Sequence, residues 1–390
     1  MAYSLLHQER YRHAFDHVGE PGSRLLIPTP ALVCDLDLLS QNILLMASRV
    51  SAAGVSVRPH VKSHKSAFIA RRQLEAGAVG LSCAKVAEAE AIVDRLASDG
   101  YDRPVSILLT SPLVGAASAT RVADLAARCD LMAVADHPEG VDELAEACAA
   151  ADVSVTVLCD VDVGTRRTGV IGPSEALVVV DRIAQSSHLD FGGVQGYGGH
   201  LQHIHDRGER RAGAEDSAQR LHVVIAALER SGHGVSLRTG GGTGTAVIDG
   251  DIGLLNELQP GSYVFMDREY HDALGDDPEG QFQQSLMVTT TVISANQPGF
   301  VTVDAGLKSM ATDAGSPLVM GHESAERYEF FGDEHGLVTS GPHSSFRRGD
   351  RLELVPPHCD PTVDRYDFIW LVRDHVLVGV ADVDARGCSQ

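Results

Sequence analysis

The sequence predicts an α/β fold, in which a (β/α)8 barrel is followed by a C-terminal antiparallel β domain. Between residues 55 and 267, short runs rich in β-branched residues alternate with stretches rich in Ala, Leu and Glu. This alternation is expected for parallel strands that are connected by helices. After residue 267, strand-like runs are separated by Gly, Pro and Asp, and no clear helix lies between them. That pattern is typical of an antiparallel sheet.

Eight runs of the first region are continuous rather than alternating, as expected for strands that are covered on both faces. These runs are residues 55–62, 80–84, 105–110, 131–136, 154–162, 189–197, 235–241 and 255–267. Helix-like stretches between them include residues 85–97 and 217–230. Eight strands favour a closed barrel, and an open sheet of fewer strands is the alternative interpretation.

The second region contains six strand-like runs, at residues 285–295, 300–304, 327–331, 351–355, 368–372 and 376–380. The first 28 residues predict a weak helix over 4–17 and a Pro/Gly turn, which we expect to pack on the second domain. The predicted domains are therefore a barrel over 30–267 and a β domain formed by 1–29 and 268–390.

Composition narrows the function classes. The chain has 390 residues and a formal net charge of -21, which disfavours a nucleic-acid partner because phosphates would be repelled. Seven cysteines without a framework spacing indicate free thiols in a reducing cytoplasm. The N-terminal residues do not resemble a signal peptide, and no apolar run approaches the roughly 18 residues that span a bilayer. We expect a cytoplasmic protein without a membrane partner.

A lysine is placed at the end of the first predicted barrel strand, in the run Val57-Arg58-Pro59-His60-Val61-Lys62-Ser63-His64-Lys65. Barrel enzymes carry their reactive groups at the C-terminal ends of the strands. Desolvation and cationic neighbours there can lower the pKa of a lysine enough for it to form a Schiff base. The alternative is that Lys62 and Lys65 are solvated surface charges.

A glycine-rich loop follows the seventh predicted strand, in the run Thr239-Gly240-Gly241-Gly242-Thr243-Gly244-Thr245. Backbone N–H groups can approach a phosphate closely at glycines, and threonine hydroxyls add donors. The loop lacks the Gly-Lys-Ser/Thr of a P-loop and taken alone could be a tight turn. Combined with a strand-end lysine, it predicts a phosphate-bearing carbonyl cofactor, for which pyridoxal phosphate is the common choice.

The run Pro356-Pro357-His358-Cys359-Asp360-Pro361-Thr362-Val363 lies in the predicted β domain. If the segment is extended, His358 and Asp360 face the same way and Cys359 faces the opposite way. Imidazole and carboxylate together suit Mn, Mg or Zn with positions open for water or substrate. A structural hydrogen bond between His358 and Asp360 is the alternative.

Four strings of the sequence resemble the D-threonine aldolase family. They are Arg58-Pro59-His60-Val61-Lys62, the run from Glu257 to Asp267 (ELQPGSYVFMD), Val303-Asp304-Ala305-Gly306-Leu307-Lys308 and Pro357-His358-Cys359-Asp360-Pro361-Thr362-Val363. That family includes 3-hydroxy-D-aspartate aldolases and is related to metal-dependent D-serine dehydratases. The resemblance runs from about residue 29 to 387 and implies a barrel of the alanine racemase type.

The resemblance also implies roles for individual residues. Lys62 becomes the lysine that carries pyridoxal phosphate as a Schiff base, and His358 and Asp360 become ligands of a divalent metal. Arg167, in the segment Asp162-x-Gly164-x-x-Arg167-x-Gly169, falls near the phenolic oxygen of the cofactor. Further cofactor-contacting positions are Tyr197, Gln202, Gly242, Thr243 and Tyr263.

Two parts of the sequence depart from the family pattern. One is the segment 197–203, where the difference concerns the substrate pocket more than the cofactor site, and the other is Asp364. His200, His203 and His205 crowd the loop at this segment, and we favour His203 as the acid-base residue.

The function implied by the resemblance is retro-aldol cleavage of small β-hydroxy D-amino acids, such as D-threonine or 3-hydroxy-D-aspartate, to glycine and an aldehyde or glyoxylate. The alternative on the same scaffold is a metal-dependent dehydratase. The related dehydratases tend to have Cys two residues after the metal His, where this chain has Asp360. A non-catalytic cofactor carrier would lack the β domain, and a racemase would need a second acid-base residue opposite Lys62. A homodimer is expected.

Overall fold

The computed structural model describes residues 9–275, 277–321, 327–339 and 346–390. Its helices are α1 (Arg12–Phe15), α2 (Leu36–Ala52), α3 (Ala67–Glu75), α4 (Val86–Ser98), α5 (Ala116–Ala126), α6 (Pro138–Ala151), α7 (Pro173–Ala184), α8 (Arg207–Arg230), α9 (Ala246–Ile252), α10 (Arg268–Leu274) and α11 (Cys359–Val363). Its strands are β1 (Ala31–Asp35), β2 (Ser56–Val57), β3 (Leu81–Cys83), β4 (Ser106–Leu109), β5 (Asp130–Ala135), β6 (Val155–Asp160), β7 (Leu189–Gly196), β8 (Leu237–Gly240), β9 (Glu257–Leu258), β10 (Leu286–Ser294), β11 (Phe300–Val303), β12 (Leu318–Val319), β13 (Tyr328–Phe330), β14 (Gly336–Thr339), β15 (Arg351–Val355), β16 (Phe368–Arg373) and β17 (Val376–Asp382).

Strands β2 to β9 form one parallel sheet in the order β2-β9-β8-β7-β6-β5-β4-β3. The two ends of this order meet just beyond β2, where His60 and Ser82 form a parallel bridge. There the Ser82 N–H donates to the carbonyl oxygen of Pro59 at 2.8 Å. In the described residues the sheet is thus an eight-stranded barrel, and the predicted fold class is confirmed. Each of the eight strands lies within or beside the run in which it was expected.

The barrel strands are buried because helices cover their outer face. One apolar core joins Ile107 of β4 and Val157 of β6 to Ile92 of α4 and Leu228 of α8. Helix α8 is longer than the expected stretch 217–230 and begins at Arg207. The side chain of Asp206 accepts a hydrogen bond from the Glu209 N–H at 2.8 Å, which caps this helix start.

The second sheet has the order β13-β14-β11-β10-β1-β16-β17, and β15 pairs with β10 and β12. Its neighbours are antiparallel except β1 and β16, which are parallel. Strand β1 precedes the barrel in the chain, although the expected boundary at residue 30 placed it with the barrel. A short apolar run gives no local indication of which sheet it will join. Strands β12 and β14 were also not expected.

A second core connects the two sheets. It brings Met46 of α2 and Phe265 together with Val288 of β10 and Ile369 of β16. The N-terminal segment packs on this domain as expected, since the Phe15 ring lies 5.3 Å from that of Trp370. The expected helix over 4–17 is observed only as α1 and the residues just before it, and residues 4–8 lie outside the described residues. None of the helices in the described ranges is long and apolar enough to cross a membrane.

Candidate active site

Lys62 lies in a 3-10 turn, Val61–Ser63, that begins four residues after the end of the first barrel strand, β2. The turn is capped by His60, whose Nδ1 accepts from the Lys62 N–H at 3.4 Å. The other ring nitrogen, Nε2, lies 3.1 Å from Thr110 Oγ1 and donates to it, because Nδ1 is the acceptor. Burial and the nearby Lys62 lower the pKa of His60, so the ring is neutral. His60 therefore fixes the backbone from which the Lys62 side chain extends.

The Lys62 ammonium contacts a carboxylate from the β domain. Its Nζ lies 2.5 Å from Asp360 Oδ2. Asp360 raises the pKa of Lys62, so the lowered pKa expected from the strand-end position is wrong. Burial opposes ionisation of Asp360, but Lys62 and His358 outweigh it and hold the pKa of this carboxyl well below its usual range. The pKa of Lys62 is thus raised by a residue of the β domain, which the sequence of the first barrel strand alone could not indicate.

Lys65 is tethered in the same way, but it is less accessible. Its Nζ lies 2.8 Å from Asp364 Oδ1, and 11% of its side chain is exposed, against 42% for Lys62. Both carboxylates belong to α11 or its C-cap. Of the two lysines, only Lys62 lines the cavity at this end of the barrel. Asp364, which differs from the family pattern, is thus the ion-pair partner of Lys65.

The cavity encloses about 440 Å³, part of which is open to solvent. The Arg167 guanidinium lies 5.4 Å from the centre of the Tyr197 ring on one wall. Behind it, the Gln195 side chain donates to the Thr110 carbonyl at 3.1 Å and to Asp160 Oδ1 at 2.9 Å. Two of the expected cofactor-contacting side chains, Arg167 and Tyr197, therefore share a cavity with Lys62.

The glycine-rich loop follows β8 and is closed by short backbone contacts. The Gly244 N–H donates to Gln202 Oε1 at 2.9 Å, and the Gly242 N–H donates to Thr245 Oγ1 at 3.3 Å. A Cβ at Gly242 would lie 2.4 Å from Gln202 Oε1, and one at Gly244 would lie 2.2 Å from the Gln202 carbonyl oxygen. Position 244 therefore requires glycine, because the clash there is with backbone, whereas a side chain at position 242 would require the Gln202 side chain to shift. Gln202 supports the loop from behind, with its side-chain amide also bonded to Thr245.

Thr243 and Tyr263 are joined at the same loop through the Tyr263 N–H, which donates to Thr243 Oγ1 at 3.1 Å. The Tyr263 ring belongs to the second core and is 1% exposed. Its hydroxyl accepts from the Gln73 side chain at 3.0 Å. At the loop, Tyr263 therefore presents its backbone rather than its side chain.

The three crowded histidines have different surroundings. His200 Nδ1 lies 3.1 Å from Thr165 Oγ1, and His205 is exposed. The His203 ring lies 4.5 Å from the Tyr270 ring, and its Nδ1 is 3.5 Å from Glu269 Oε1. His203 Nε2 is buried and has no hydrogen-bond partner among the described residues.

The electrostatic surroundings of His203 place it at the candidate site. Burial lowers the pKa of His203 more than Glu269 raises it. Lys62, His358 and Asp360 also influence this pKa, so all three lie nearby. His203 is therefore a neutral imidazole with a free nitrogen beside the candidate site.

His358 and Asp360 do not lie in an extended segment, so the expected geometry is wrong. Residue 359 begins helix α11 and His358 is its N-cap residue. The helix start is held by Asp267, whose Oδ2 accepts from the Cys359 N–H at 2.8 Å. Cys359 does not face away from Asp360, since its Sγ lies 3.3 Å from Asp360 Oδ1. The tripeptide His358-Cys359-Asp360, which lies between two prolines, did not predict this short helix.

The His358 imidazole is paired with a carboxylate that the sequence did not indicate. Its Nδ1 lies 2.7 Å from Asp313 Oδ2. Burial opposes protonation of His358, but Asp360 and Asp313 together raise its pKa. In the described ranges, no group of three or more His, Cys, Asp or Glu side chains is arranged to hold a metal ion. The pair His358 and Asp360 nevertheless fits a divalent cation that takes its other ligands from water or substrate.

The residues at the barrel end also fit pyridoxal phosphate. An accessible amine, Lys62, lines the cavity, and a glycine-rich loop follows β8 at the same end of the barrel. His203 adds a buried nitrogen without a partner in the described part of the chain. The sequence did not indicate His60, Asp313 or Glu269 as parts of the site. Of these three residues, only Glu269 could have been noticed in the sequence, because Asp267, two residues before it, is a good N-cap residue and predicts the start of a helix there.

Comparisons with known proteins agree with this architecture. The family described as "Alanine racemase, N-terminal domain" matches residues 34–269, and "Putative serine dehydratase domain" matches residues 285–372. A D-threonine aldolase from Arthrobacter sp is 35% identical over 95% of this chain and 96% of its own. A 3-hydroxy-D-aspartate aldolase from Paracoccus denitrificans (strain Pd 1222) is 34% identical over 97% of each chain.

A solved structure extends the likeness to three dimensions. The crystal structure of D-threonine aldolase from Filomicrobium marinum matches with a TM-score of 0.89 at 35% identity, covering 94% of this chain and 98% of that one. The resemblance inferred from the four sequence strings is thereby confirmed. The chain belongs to the family of aldehyde-lyases that contains the D-threonine aldolases and the 3-hydroxy-D-aspartate aldolases, built on the alanine racemase type of fold.

Proposed function

We propose that this protein cleaves β-hydroxy D-amino acids to glycine and an aldehyde or glyoxylate, using pyridoxal phosphate and a divalent metal. The observation that carries the proposal is the 2.5 Å contact between Lys62 Nζ and Asp360 Oδ2. It joins the amine at the barrel strand end to a carboxylate from the β domain. A site assembled from both domains in this way can hold the α-amino group and the β-hydroxyl of one small substrate together.

Lys62 is the residue that would hold pyridoxal phosphate through its amine, and the backbone of the loop at Gly242 and Thr243 would hold the phosphate. Arg167 and Tyr197, which share the cavity with Lys62, would flank the ring. When bound, the cofactor supplies an electron sink for the charge left at Cα when the Cα–Cβ bond breaks. Asp360 raises the pKa of Lys62 and holds its Nζ at the cavity.

His358 and Asp360 would hold the metal, and we place Mn or Mg first because the set contains one carboxylate and leaves room for water. The metal supplies a Lewis acid that lowers the pKa of the β-hydroxyl. Asp360 contacts Lys62 and also lies near His358, so the metal site and the amine share one carboxylate.

His203 is the residue that we propose to take the β-hydroxyl proton. Because burial lowers its pKa, the ring is neutral near pH 7 and can accept a proton. Its Nε2 is buried and unpaired within the described ranges, so this nitrogen is available to the substrate. Glu269, 3.5 Å from Nδ1, favours the tautomer in which Nδ1 carries the hydrogen.

The second candidate function is a dehydratase that expels the β-hydroxyl as water. The match of residues 285–372 to the family described as "Putative serine dehydratase domain" favours it. Against it stands Asp360, at the position where related dehydratases tend to have Cys. The neighbouring Cys359 is fully buried, and burial raises the pKa of its thiol well above its usual range. A buried neutral thiol is a poor metal ligand, so we favour the aldolase.

The test is an assay of the purified protein with pyridoxal phosphate, Mn²⁺ and one of D-threonine, D-3-hydroxyaspartate, D-serine or L-threonine. We expect glycine plus an aldehyde or glyoxylate from the first two, and cleavage of L-threonine at least about a hundredfold slower. Excess EDTA should abolish the reaction, and added Mn²⁺ should restore it. Ammonia and a keto acid as the main products would establish the dehydratase instead.

We further propose a cytoplasmic homodimer. The seven cysteines, all in described residues, are free thiols, which supports a reducing compartment. Two large apolar side chains in loops that follow barrel strands are strongly exposed, Val114 at 82% and Ile171 at 81%. A partner subunit covering these loops would bury both. Sedimentation equilibrium of the 41.4 kDa chain tests this directly, and a monomer across micromolar concentrations would contradict it.

A further inference from the structure

We infer that Asp313 is a positioning residue, which orients His358 so that its Nε2 binds the metal. This inference rests on the metal dependence proposed above. His358 Nδ1 lies 2.7 Å from Asp313 Oδ2, and the partner is a carboxylate, which can only accept a hydrogen bond when ionised. Nδ1 therefore carries a hydrogen, and in the neutral imidazole, the form that binds a metal, the lone pair is on Nε2.

Asp313 reaches His358 across a long sequence separation. The two residues are 45 positions apart, and Asp313 lies in the loop between β11 and β12. The Asp313 side chain is 56% exposed, whereas His358 is 26% exposed. The carboxylate of Asp313 is therefore more exposed to solvent than the imidazole that it contacts. One nitrogen of the ring is thus committed to Asp313.

This arrangement is what a metal-binding histidine needs. A histidine ligand usually donates its second N–H to a carboxylate or carbonyl, which fixes the ring and increases its basicity, and losing that partner costs about 10–100-fold in metal affinity. In addition, His358 precedes a short helix and has no side-chain cap hydrogen bond in it. Asp313 is therefore the contact that restrains rotation of the imidazole among the residues that the structure describes.

The chain provides a matched control. His233 Nε2 lies 2.8 Å from Asp181 Oδ1, and the Asp181 side chain is 58% exposed. This pair has almost the same length and carboxylate exposure as the pair at Asp313, but Asp181 lies on α7, one of the helices that cover the barrel strands. Asp181→Asn should leave metal binding unchanged, which separates an effect at the site from a general effect of losing a surface carboxylate.

The experiment measures Mn²⁺ binding to the cofactor-loaded protein by equilibrium dialysis. Asp313→Ala should weaken binding about 10–100-fold, and Asp313→Asn should weaken it less because its amide oxygen still accepts from Nδ1–H. The cofactor absorption band and the thermal midpoint should stay as in the wild type. Saturating Mn²⁺ should restore kcat in both variants.

Each other result overturns the inference in a recognisable way. Unchanged Mn²⁺ affinity in Asp313→Ala shows that the contact does not position His358. A loss as complete as that in Asp360→Ala shows that Asp313 is itself a ligand. If the wild-type protein takes up no Mn²⁺, the metal-dependent function fails first and the inference falls with it.

Discussion

Two lysines three positions apart lie at the same strand end, and their surroundings give them different accessibility. Lys62 is 42% exposed and contacts Asp360, whereas Lys65 is 11% exposed and contacts Asp364. Lys65 also has a positive φ of 49°, a backbone conformation that few non-glycine residues adopt. Its carbonyl accepts from the Ala385 N–H at 3.0 Å, which anchors it to the C-terminal segment. Only Lys62 is thus placed to react with a ligand in the cavity.

We predict that borohydride reduction of the cofactor-loaded protein labels Lys62. Peptide mapping by mass spectrometry should place the pyridoxyl group on this residue. Lys62→Ala should lose the cofactor absorption band, and the control Lys65→Ala should keep it. A label on Lys65 in the wild-type protein would contradict the assignment.

We predict that His203→Asn lowers kcat by about 100–10,000-fold, the usual contribution of a general base. The reason is the free Nε2 beside the site, which asparagine cannot replace as a proton acceptor. Steady-state kinetics with D-threonine should show this loss with Mn²⁺ affinity unchanged. The control is His205→Asn, because His205 is exposed in the same loop. Wild-type rates in His203→Asn would remove it from the mechanism.

At the scale of elements, the first and last barrel strands are short, and a buried ion pair supports their contact. Strands β2 and β9 pair over Ser56–Val57 and Glu257–Leu258. Just beyond β2, Arg58 Nε lies 3.0 Å from Glu257 Oε1, with 6% and 4% of the two side chains exposed. Arg58 also donates to Ser106 at the start of β4. This ion pair therefore lies in the segment that positions Lys62, four residues after Arg58.

We predict that Arg58→Ala costs about 3–5 kcal/mol of unfolding free energy, because it leaves Glu257 buried and uncompensated. Urea-induced unfolding followed by circular dichroism measures this. The control is Arg121→Ala, which breaks a pair with Glu90 in which the arginine is 37% exposed. An exposed pair of this kind contributes less than about 1 kcal/mol. Equal losses in the two variants would show that burial does not govern the effect.

At the scale of the whole molecule, stability depends on pH through buried carboxyls. Burial raises the pKa of Glu88 to about 7 and that of Asp249, Asp267 and Asp384 to about 6. A carboxyl whose pKa is raised by folding binds its proton more tightly in the folded state. Its contribution to stability is complete below the unfolded pKa and is lost as the pH rises through the folded pKa.

We predict that Glu88→Gln is increasingly more stable than the wild type as pH rises from 5 to 8. Glu88 is 1% exposed, and its Oε2 accepts from the Ala84 N–H at 2.6 Å, a bond that glutamine can keep. A shift from 4.5 to about 7 corresponds to a difference on the order of 3 kcal/mol at the alkaline end. Thermal midpoints at several pH values measure it, with Glu90→Gln on the same helix as control. A difference that stays constant with pH would contradict the burial argument.

The sequence by itself determined the fold class and the identities of the main candidate residues. Strand and helix patterns depend on neighbours within a few positions of the chain, so the eight barrel strands could be predicted from continuous apolar runs that alternate with helix-like stretches. Lys62, the glycine-rich loop, His358 and Asp360 stand in contiguous motifs, and these motifs led to the correct family. Even the start of α8 had a local signal, because Asp206 and Glu209 have the spacing of a helix cap.

Only the tertiary structure decided what those residues touch. It placed β1 in the second sheet, turned residues 359–363 into a helix, and set Asp360, 298 positions away in the chain, against Lys62. The contact with Asp360 reverses the pKa shift expected for Lys62. The sequence also did not indicate that Asp313 is the partner of His358. The physical reason is that electrostatic and hydrogen-bond energies depend on distances between side chains in space, which domain packing fixes and local sequence patterns do not encode.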